Sequence, residues 1–305
     1  MLLERGADPN DEEAPYHVPE SYDNTVLKIM LESGKLNQAS LNTILLRKAD
    51  WHDEAGVQLA LEHGADPNQM TIWGFSALHQ SLRRDNGLIM IQMLLDHGGD
   101  PAVKSTRDGR SAAAMAAHRG RRDVLADLEA RGIACDLGGV DRLIAACAKS
   151  NRDAVREIAV LEPQLLQQLM AWGGTLLAEF AGNNNVEGVR CLVELGVSAG
   201  ALYEEGDSYF DIAKHSTALH VAAWRGWPDA AKTLIDLGTP VNAFDGKRRT
   251  ALALAVKACV NSYWKYRRTP ESVAALLEAG AAINGIEIPT GYEEVDELLR
   301  QYGAR

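Results

Sequence analysis

Apolar positions along the chain come in short blocks with helical period, and residues 217–242, TALHVAAWRGWPDAAKTLIDLGTPVN, show the pattern whole. Leu219, Val221, Ala222 and Ala223 make one apolar face; Ala230, Ala231, Leu234 and Ile235 make a second; Arg225-Gly226-Trp227-Pro228 lies between them. The spacing predicts two short antiparallel helices, the second stopped at Gly238, where glycine allows left-handed backbone. Neither helix finds enough apolar surface inside its own hairpin to cover its face. The unit is therefore predicted to be stable only when similar hairpins stack on it.

Other stretches repeat the pattern. From an opening Thr or Ser to a closing Gly the distance is 21 residues for Thr43 to Gly64, Ser111 to Gly132, Thr175 to Gly196 and Thr217 to Gly238, and 22 for Ser76 to Gly98. Gly64, Gly98 and Gly132 follow one another at 34. The core pairs expected from this register are Leu45/Leu59, Leu78/Leu94, Met115/Leu128, Leu143/Ile158, Leu177/Leu192 and Leu219/Leu234. The unit at 141–162 has Glu162-Pro163 where its glycine should stand, which predicts an altered turn but no domain break. With its opening Thr217-Ala218-Leu219-His220 and its closing Leu234, Ile235 and Gly238, the unit resembles an ankyrin repeat, most closely over 40–140 and 170–285. The resemblance implies an all-α fold: an ankyrin-repeat solenoid of stacked helix-turn-helix hairpins with extended loops, the array running over 39–288.

Both ends and two internal stretches depart from the period. The opening MLLERGADPN matches the end of a repeat (LALEHGADPN, 59–68), so residues 1–38 are expected to be a truncated or degenerate N-terminal repeat beginning inside a longer array. Such a cut would expose Leu2 and Leu3. Within it, 25–34 reads as a second helix, whereas Pro15 and Pro19 spoil the first. Loops between units take 12 or 13 residues, but 21 separate Gly196 from Thr217, an insertion at about 200–214 that carries Tyr203, Tyr209 and Phe210 among Glu204, Glu205, Asp207 and Asp211. A second insertion, at about 259–270, stretches Thr250 to Gly280 to 30 residues. Residues 289–305 are expected to form a charged, amphipathic capping helix.

Composition narrows the chemistry. A formal net charge of −11 over 305 residues disfavours binding to phosphate backbones. No run of about 18 apolar residues and no signal peptide is present, so a cytoplasmic protein is expected; delivery into a host cell would leave no mark in the sequence. Cys135, Cys147, Cys191 and Cys259 have no CxxC spacing and read as reduced structural thiols. The resemblance implies that His79 and His220 hydrogen-bond neighbouring loop backbone. The remaining histidines lack metal-ligand spacing. No catalytic residue, metal site or cofactor is expected, with a spatial Cys/His pair as the enzymatic alternative.

The resemblance also implies a partner protein or peptide, bound by the two residues that follow the Ala-Ala pair of each first helix and by the loop tips. Aligned by the Thr-to-Gly rule, these pairs are Asp50/Trp51, Arg83/Arg84, His118/Arg119, Ala148/Lys149, Gly182/Asn183, Trp224/Arg225 and Val256/Lys257. Arg and Trp are the types most enriched at energetic centres of interfaces, which selects Trp51, Arg83, Arg84, Arg119, Trp224 and Arg225. From the insertions, Tyr209, Phe210, Tyr263, Trp264 and Tyr266 are expected to stand out as apolar anchors rimmed by charge, with Arg267 and Arg268 among the partner-binding residues. Two other readings stay open for these stretches. The acidic 204–211 and the basic 247–268 could brace each other, or 247–268, with its aromatics among Lys and Arg, could bind nucleic acid.

Overall fold

In a computed structural model, whose described residues are 3–303, the chain is helical apart from two strands of two residues each. It forms two compact units: one holds residues up to 116 together with 123–136, the other 117–122 and everything from 137 onward.

The first unit contains α1 (Glu13–His17), α2 (Thr25–Glu32), α3 (Gln38–Asp50), α4 (Glu54–Glu62), α5 (Ala77–Arg83) and α6 (Leu88–Asp96), with most of α7 (Ala112–His118) and α8 (Arg122–Ala130). Prolines shorten α1 to five residues. Leu3 is half-buried, and Leu2 lies outside the described residues. Leu45, Leu78, Leu94 and Leu128 are buried as the register predicts. Leu59 is only half-buried, because α4 turns Val57, Ala60 and Leu61 inward instead. Each such side chain removed from water contributes about 1.5–3 kcal/mol.

The second unit contains α9 (Gly139–Ala148), α10 (Arg152–Leu161), α11 (Pro163–Ala171), α12 (Gly173–Gly182), α13 (Val186–Glu194), α14 (Ala218–Arg225), α15 (Pro228–Asp236), α16 (Ala251–Asn261), α17 (Glu271–Glu278) and α18 (Glu293–Gln301). The turn predicted at Glu162-Pro163 is altered more deeply than expected. Pro163 takes the first position of a new helix, where its missing N–H costs nothing, and α11 then turns Leu165 and Leu169 inward.

Side chains that bind the loops also start the helices. The Ser76 and Thr217 hydroxyls lie 2.7 and 2.8 Å from Nδ1 of His79 and His220 at the starts of α5 and α14. His220 Nδ1 accepts the Thr217 N–H at 3.1 Å, so its Nε2 carries the proton and donates to the carbonyls of Ala243 and Arg249, both at 3.1 Å. His79 Nε2 donates likewise to the Arg110 carbonyl at 3.0 Å. Each histidine thus ties one hairpin to the following loop as a neutral ring, and burial holds both below the usual imidazole range.

The two insertions fold inward. Leu202–Tyr203 (β1) pairs antiparallel with Ser216–Thr217 (β2), and a bridge between Asp207 and Ile212 closes the loop they carry. Its tip lies over the C-terminal end of α14, where Trp224 Nε1 donates to the Phe210 carbonyl at 2.5 Å. Phe210, Trp224 and Trp264 join Tyr203, Ile212, Val221 and Leu254 in one buried apolar cluster. The Arg225 guanidinium is buried beside the paired rings of Phe210 and Trp264, at 5.0 and 5.1 Å from their centroids. Gly226 ends α14 at φ 71°, and a Cβ there would meet the Arg267 carbonyl oxygen at 2.7 Å, so the second insertion packs directly on that turn.

This corrects the expectation that Phe210, Trp224, Arg225 and Trp264 face outward. The reason is local: an unpaired aromatic loop next to a helix end lined by Trp and Arg gains more by covering that end than by staying in water. Charge closes the same contact. Asp211 holds Lys247 at 2.5 Å, Arg249 at 2.9 Å and Lys257 at 3.0 Å. Burial pushes the Asp211 carboxyl up, but hydrogen bonds from Lys247 and Lys257 and the charge of Arg249 outweigh it and hold the group well below the usual carboxylate range.

Two outcomes follow for stability. Trp264→Ala should destabilise the second unit by about 3–5 kcal/mol in urea unfolding, as loss of a buried aromatic side chain does; a loss below ~1 kcal/mol would show that the insertions do not brace the fold. Unfolded imidazoles take up a proton near pH 6.5 that folded His79 and His220 refuse. Their contribution is therefore complete above about pH 6.5 and falls as pH drops toward their lowered folded values, by up to ~1.4 kcal/mol per pH unit for each. Denaturation at about pH 7.5 and 5.5 should show this decline, and His220→Gln should shrink it; an unchanged decline would contradict the neutral-ring assignment.

Candidate interaction site

The first unit keeps an open cleft of about 240 Å³, lined by Tyr16, Leu46, Arg47, Asp50, Trp73, Phe75, Gln80, Arg83, Arg84 and Arg107. Its floor comes from two helices and its walls from loops. On α3, Arg47 and Asp50 stand three residues apart and so share a face; on α5, Gln80 and Arg83 do the same. Trp73 and Phe75 come from the extended loop before α5, and Arg107 from the loop before α7. Those loops are tied together: Ser105 Oγ and the Thr106 N–H donate to the Gly74 carbonyl at 3.0 and 3.2 Å. Gly74 has φ 78°, and a Cβ on it would sit 3.0 Å from Arg107 Cβ. Only glycine lets the two loops approach this closely.

Asp50 is the hub of the floor. Its carboxylate holds Arg47 at 2.7 Å and Arg84 at 2.7 Å and accepts from Gln80, whose Oε1 in turn accepts from Arg83 at 2.8 Å. A second carboxylate, Glu20, reaches Arg47 at 2.6 Å from outside the lining. Two guanidiniums also lie over rings, Arg47 over Tyr16 at 4.1 Å and Arg83 over Phe75 at 4.0 Å. Arg107 is exposed and has no ion-pair partner among the described residues. The cleft therefore presents four guanidiniums against one lining carboxylate, on a protein whose net charge is −11.

Of the residues singled out in the sequence, Arg83 and Arg84 line this cleft. Trp51, next to Asp50, is half-buried and meets Tyr22 edge-on, with centroids 6.0 Å apart. Arg119 belongs to the second unit, where it pairs with Glu179 at 3.3 Å; Glu179 also accepts from the buried Tyr203 hydroxyl at 3.2 Å. Burial and the charge of Glu179 push that phenol well above its usual range. Arg267 lies half-buried over the Trp227 ring at 4.0 Å, and Arg268 donates to the Ser262 carbonyl at 3.0 Å. Of the expected aromatic anchors, Tyr209, Tyr263 and Tyr266 remain exposed, the first two with their hydroxyls 3.3 Å apart. Tyr16, Arg47, Trp73, Phe75 and Arg107 were missed. The signals for them were the Arg47/Asp50 spacing and the loop-tip positions of Trp73, Phe75 and Arg107 just before Ser76 and Ser111.

Groups that could carry other chemistry are engaged structurally. Cys147, hydrogen-bonded to Cys191 and buried, has its thiol pushed up, and burial lifts the Cys259 thiol to about 11. Cys259 donates to the carbonyls of Ala255 and Thr269 at 3.3 and 3.2 Å. Protonated thiols of this kind are poor nucleophiles. Among the described residues, no group of three or more His, Cys, Asp or Glu is placed to hold a metal ion, and no helix is long and apolar enough to cross a membrane.

A family model for ankyrin repeats (3 copies) matches residues 143–245. Among solved structures, the crystal structure of the human ASB11 ankyrin repeat domain is similar at 21% identity over 78% of this chain and 98% of that one, with a TM-score of 0.32. No curated protein matches the sequence. Three repeats are matched over α9 to α15, and the same Ser/Thr-and-histidine start opens α5 in the first unit as opens α14 in the second. Residues 143–245 of the chain are thus ankyrin repeats.

Proposed function

We propose that this protein is a non-enzymatic scaffold that captures a partner protein through an acidic segment laid into the arginine-lined cleft of its first unit. Ankyrin repeats are in general protein-interaction modules, and no partner is specified by the fold. The observation that carries the reading is an asymmetry between equivalent positions. In the second unit the Trp224/Arg225 pair is covered by the chain's own insertion, whereas Arg83 and Arg84 line an open cleft. Guanidiniums laid over rings and held by a buried carboxylate are already oriented, so a partner carboxylate meets them with little further loss of side-chain freedom.

Nucleic acid fits less well. Lys247, Arg249 and Lys257 of the basic stretch are bound to Asp211, Trp264 is buried, and the net charge repels a polyanion. The four free thiols support a cytoplasmic setting.

The test is affinity capture with the purified chain as bait beside an Arg83→Ala/Arg107→Ala variant. Arg107 is exposed, and Arg83 caps no helix, so thermal unfolding should stay within a few degrees. A partner retained by the wild type should be lost or weakened by at least about tenfold in the variant, and should release as salt rises. Equal capture by both proteins would remove the cleft from the function.

A further inference from the structure

The chemistry of the cleft defines its ligand more narrowly than "acidic". Its volume of about 240 Å³ is below the ~300–1,000 Å³ usual for small-molecule and cofactor sites, so one side chain of a partner fits it better than a free metabolite. It exceeds the ~150 Å³ that suffices for a benzene-sized ring, leaving room for a ring or stem together with a charged group. Tyr16, Leu46, Trp73 and Phe75 supply apolar walls for such a stem. The lining itself holds four guanidiniums and one carboxylate, Asp50. A dianion takes up more of that positive charge than a single carboxylate does. The guanidinium forks also suit oxyanions with several acceptor oxygens in bidentate geometry.

The geometry points to a phosphoryl dianion, carried on a side chain of a partner protein, as the group this cleft binds. The inference rests on the reading of the cleft as the partner-binding site and adds the chemistry it selects. Arg107 at the rim and Arg83 on its ring approach the phosphoryl oxygens, Asp50 fixes the floor arginines, and the aromatic walls receive the stem. An isolated cleft of this size takes one such group. A nucleic-acid backbone presents a row of phosphodiester monoanions, which the acidic remainder of the surface opposes.

Phenyl phosphate, benzoate and a short oligothymidylate serve as probes against the full ¹⁵N-labelled chain, read by the indole N–H resonance of Trp73 and assigned with Trp73→Phe. Phenyl phosphate should shift that resonance saturably and bind roughly tenfold more tightly than benzoate near pH 7.5. Arg107→Ala should weaken phenyl phosphate by about tenfold while its thermal unfolding is unchanged, and Arg107→Lys should restore part of the loss. A phosphomonoester gains its second proton near pH 6, so phenyl phosphate should weaken between about pH 7.5 and 5.5. Within that range the groups facing the ligand include Arg47, Arg83, Arg84, Arg107, Asp50, Glu20 and Tyr16. His17 lies 3.2 Å from Glu20, and benzoate, which keeps one charge over this range, corrects for changes in the protein. Benzoate binding as tightly as phenyl phosphate, a phenyl phosphate affinity indifferent to pH, or no shift at all would overturn the phosphoryl assignment. Tighter binding of the oligonucleotide would overturn it in favour of a polyanion surface. None of these outcomes alters the capture result with Arg83→Ala/Arg107→Ala, which judges the scaffold reading separately.

Discussion

Everything in this fold depends on one constraint: a hairpin of two short helices cannot bury its own apolar faces. At about 25 cal/mol per Å² of apolar surface removed from water, the favourable energy lies between hairpins, not within them. Stacking by apolar contact alone would leave the loops unregistered. His79 and His220 supply the register, because a ring nitrogen that donates to a carbonyl of the next loop fixes where that loop runs. The Ser or Thr that opens the helix sets the tautomer, and the tautomer sets the direction of the second bond. Two residues three positions apart thereby connect helix initiation to the placement of a loop about 30 residues later.

Loop placement decides what each unit can bind. In the second unit the extra residues at 200–214 and 259–270 meet each other through Phe210 and Trp264, 5.0 Å apart, and through the three cations gathered on Asp211. An isolated exposed ion pair contributes little, about 0.2–1 kcal/mol, so these charges orient the contact more than they drive it. Burial of Phe210, Trp224 and Trp264 drives it. Arg225 can accompany them because its guanidinium packs beside the Phe210 and Trp264 rings and donates an N–H to the Gly182 carbonyl at 3.3 Å.

The hairpins were legible in the sequence because helical periodicity and the Thr-to-Gly spacing both report local chain geometry. The histidine roles followed from the repeat position. Exposure of the insertions was not legible. Phe210 and Trp264 among charged neighbours read equally as anchors for a partner or as an internal contact, and the choice depends on whether two segments 54 residues apart in sequence reach each other. Periodicity carries no such distance. The helix at 163–171 was missed for a related reason: Glu162-Pro163 reads as an interruption, yet proline at a first helical position is also how a helix begins. Arg83 and Arg84 were singled out by their place in the repeat; Tyr16 comes from the degenerate 1–38 repeat, where no register was available to point to it, and Arg47, in the regular 43–64 unit, stands three residues before the Asp50/Trp51 pair that the register selected.

Asp50 explains how so concentrated a set of arginines persists without a ligand. Four guanidiniums in one cleft would repel one another and cost stability if left unbalanced. One buried carboxylate touching two of them and Gln80 converts that repulsion into a fixed frame, with Glu20 drawing on the outer side of Arg47. Balance is deliberately incomplete at the rim, where Arg107 stands in solvent and high dielectric makes an uncompensated charge cheap. A guanidinium without an ion-pair partner among the described residues thus stands at the solvent-exposed rim, whereas Arg47 and Arg84 on the floor are paired with Asp50. On the proposed reading, an incoming anion would meet the exposed Arg107 guanidinium before it displaces water from the floor that Asp50 holds together.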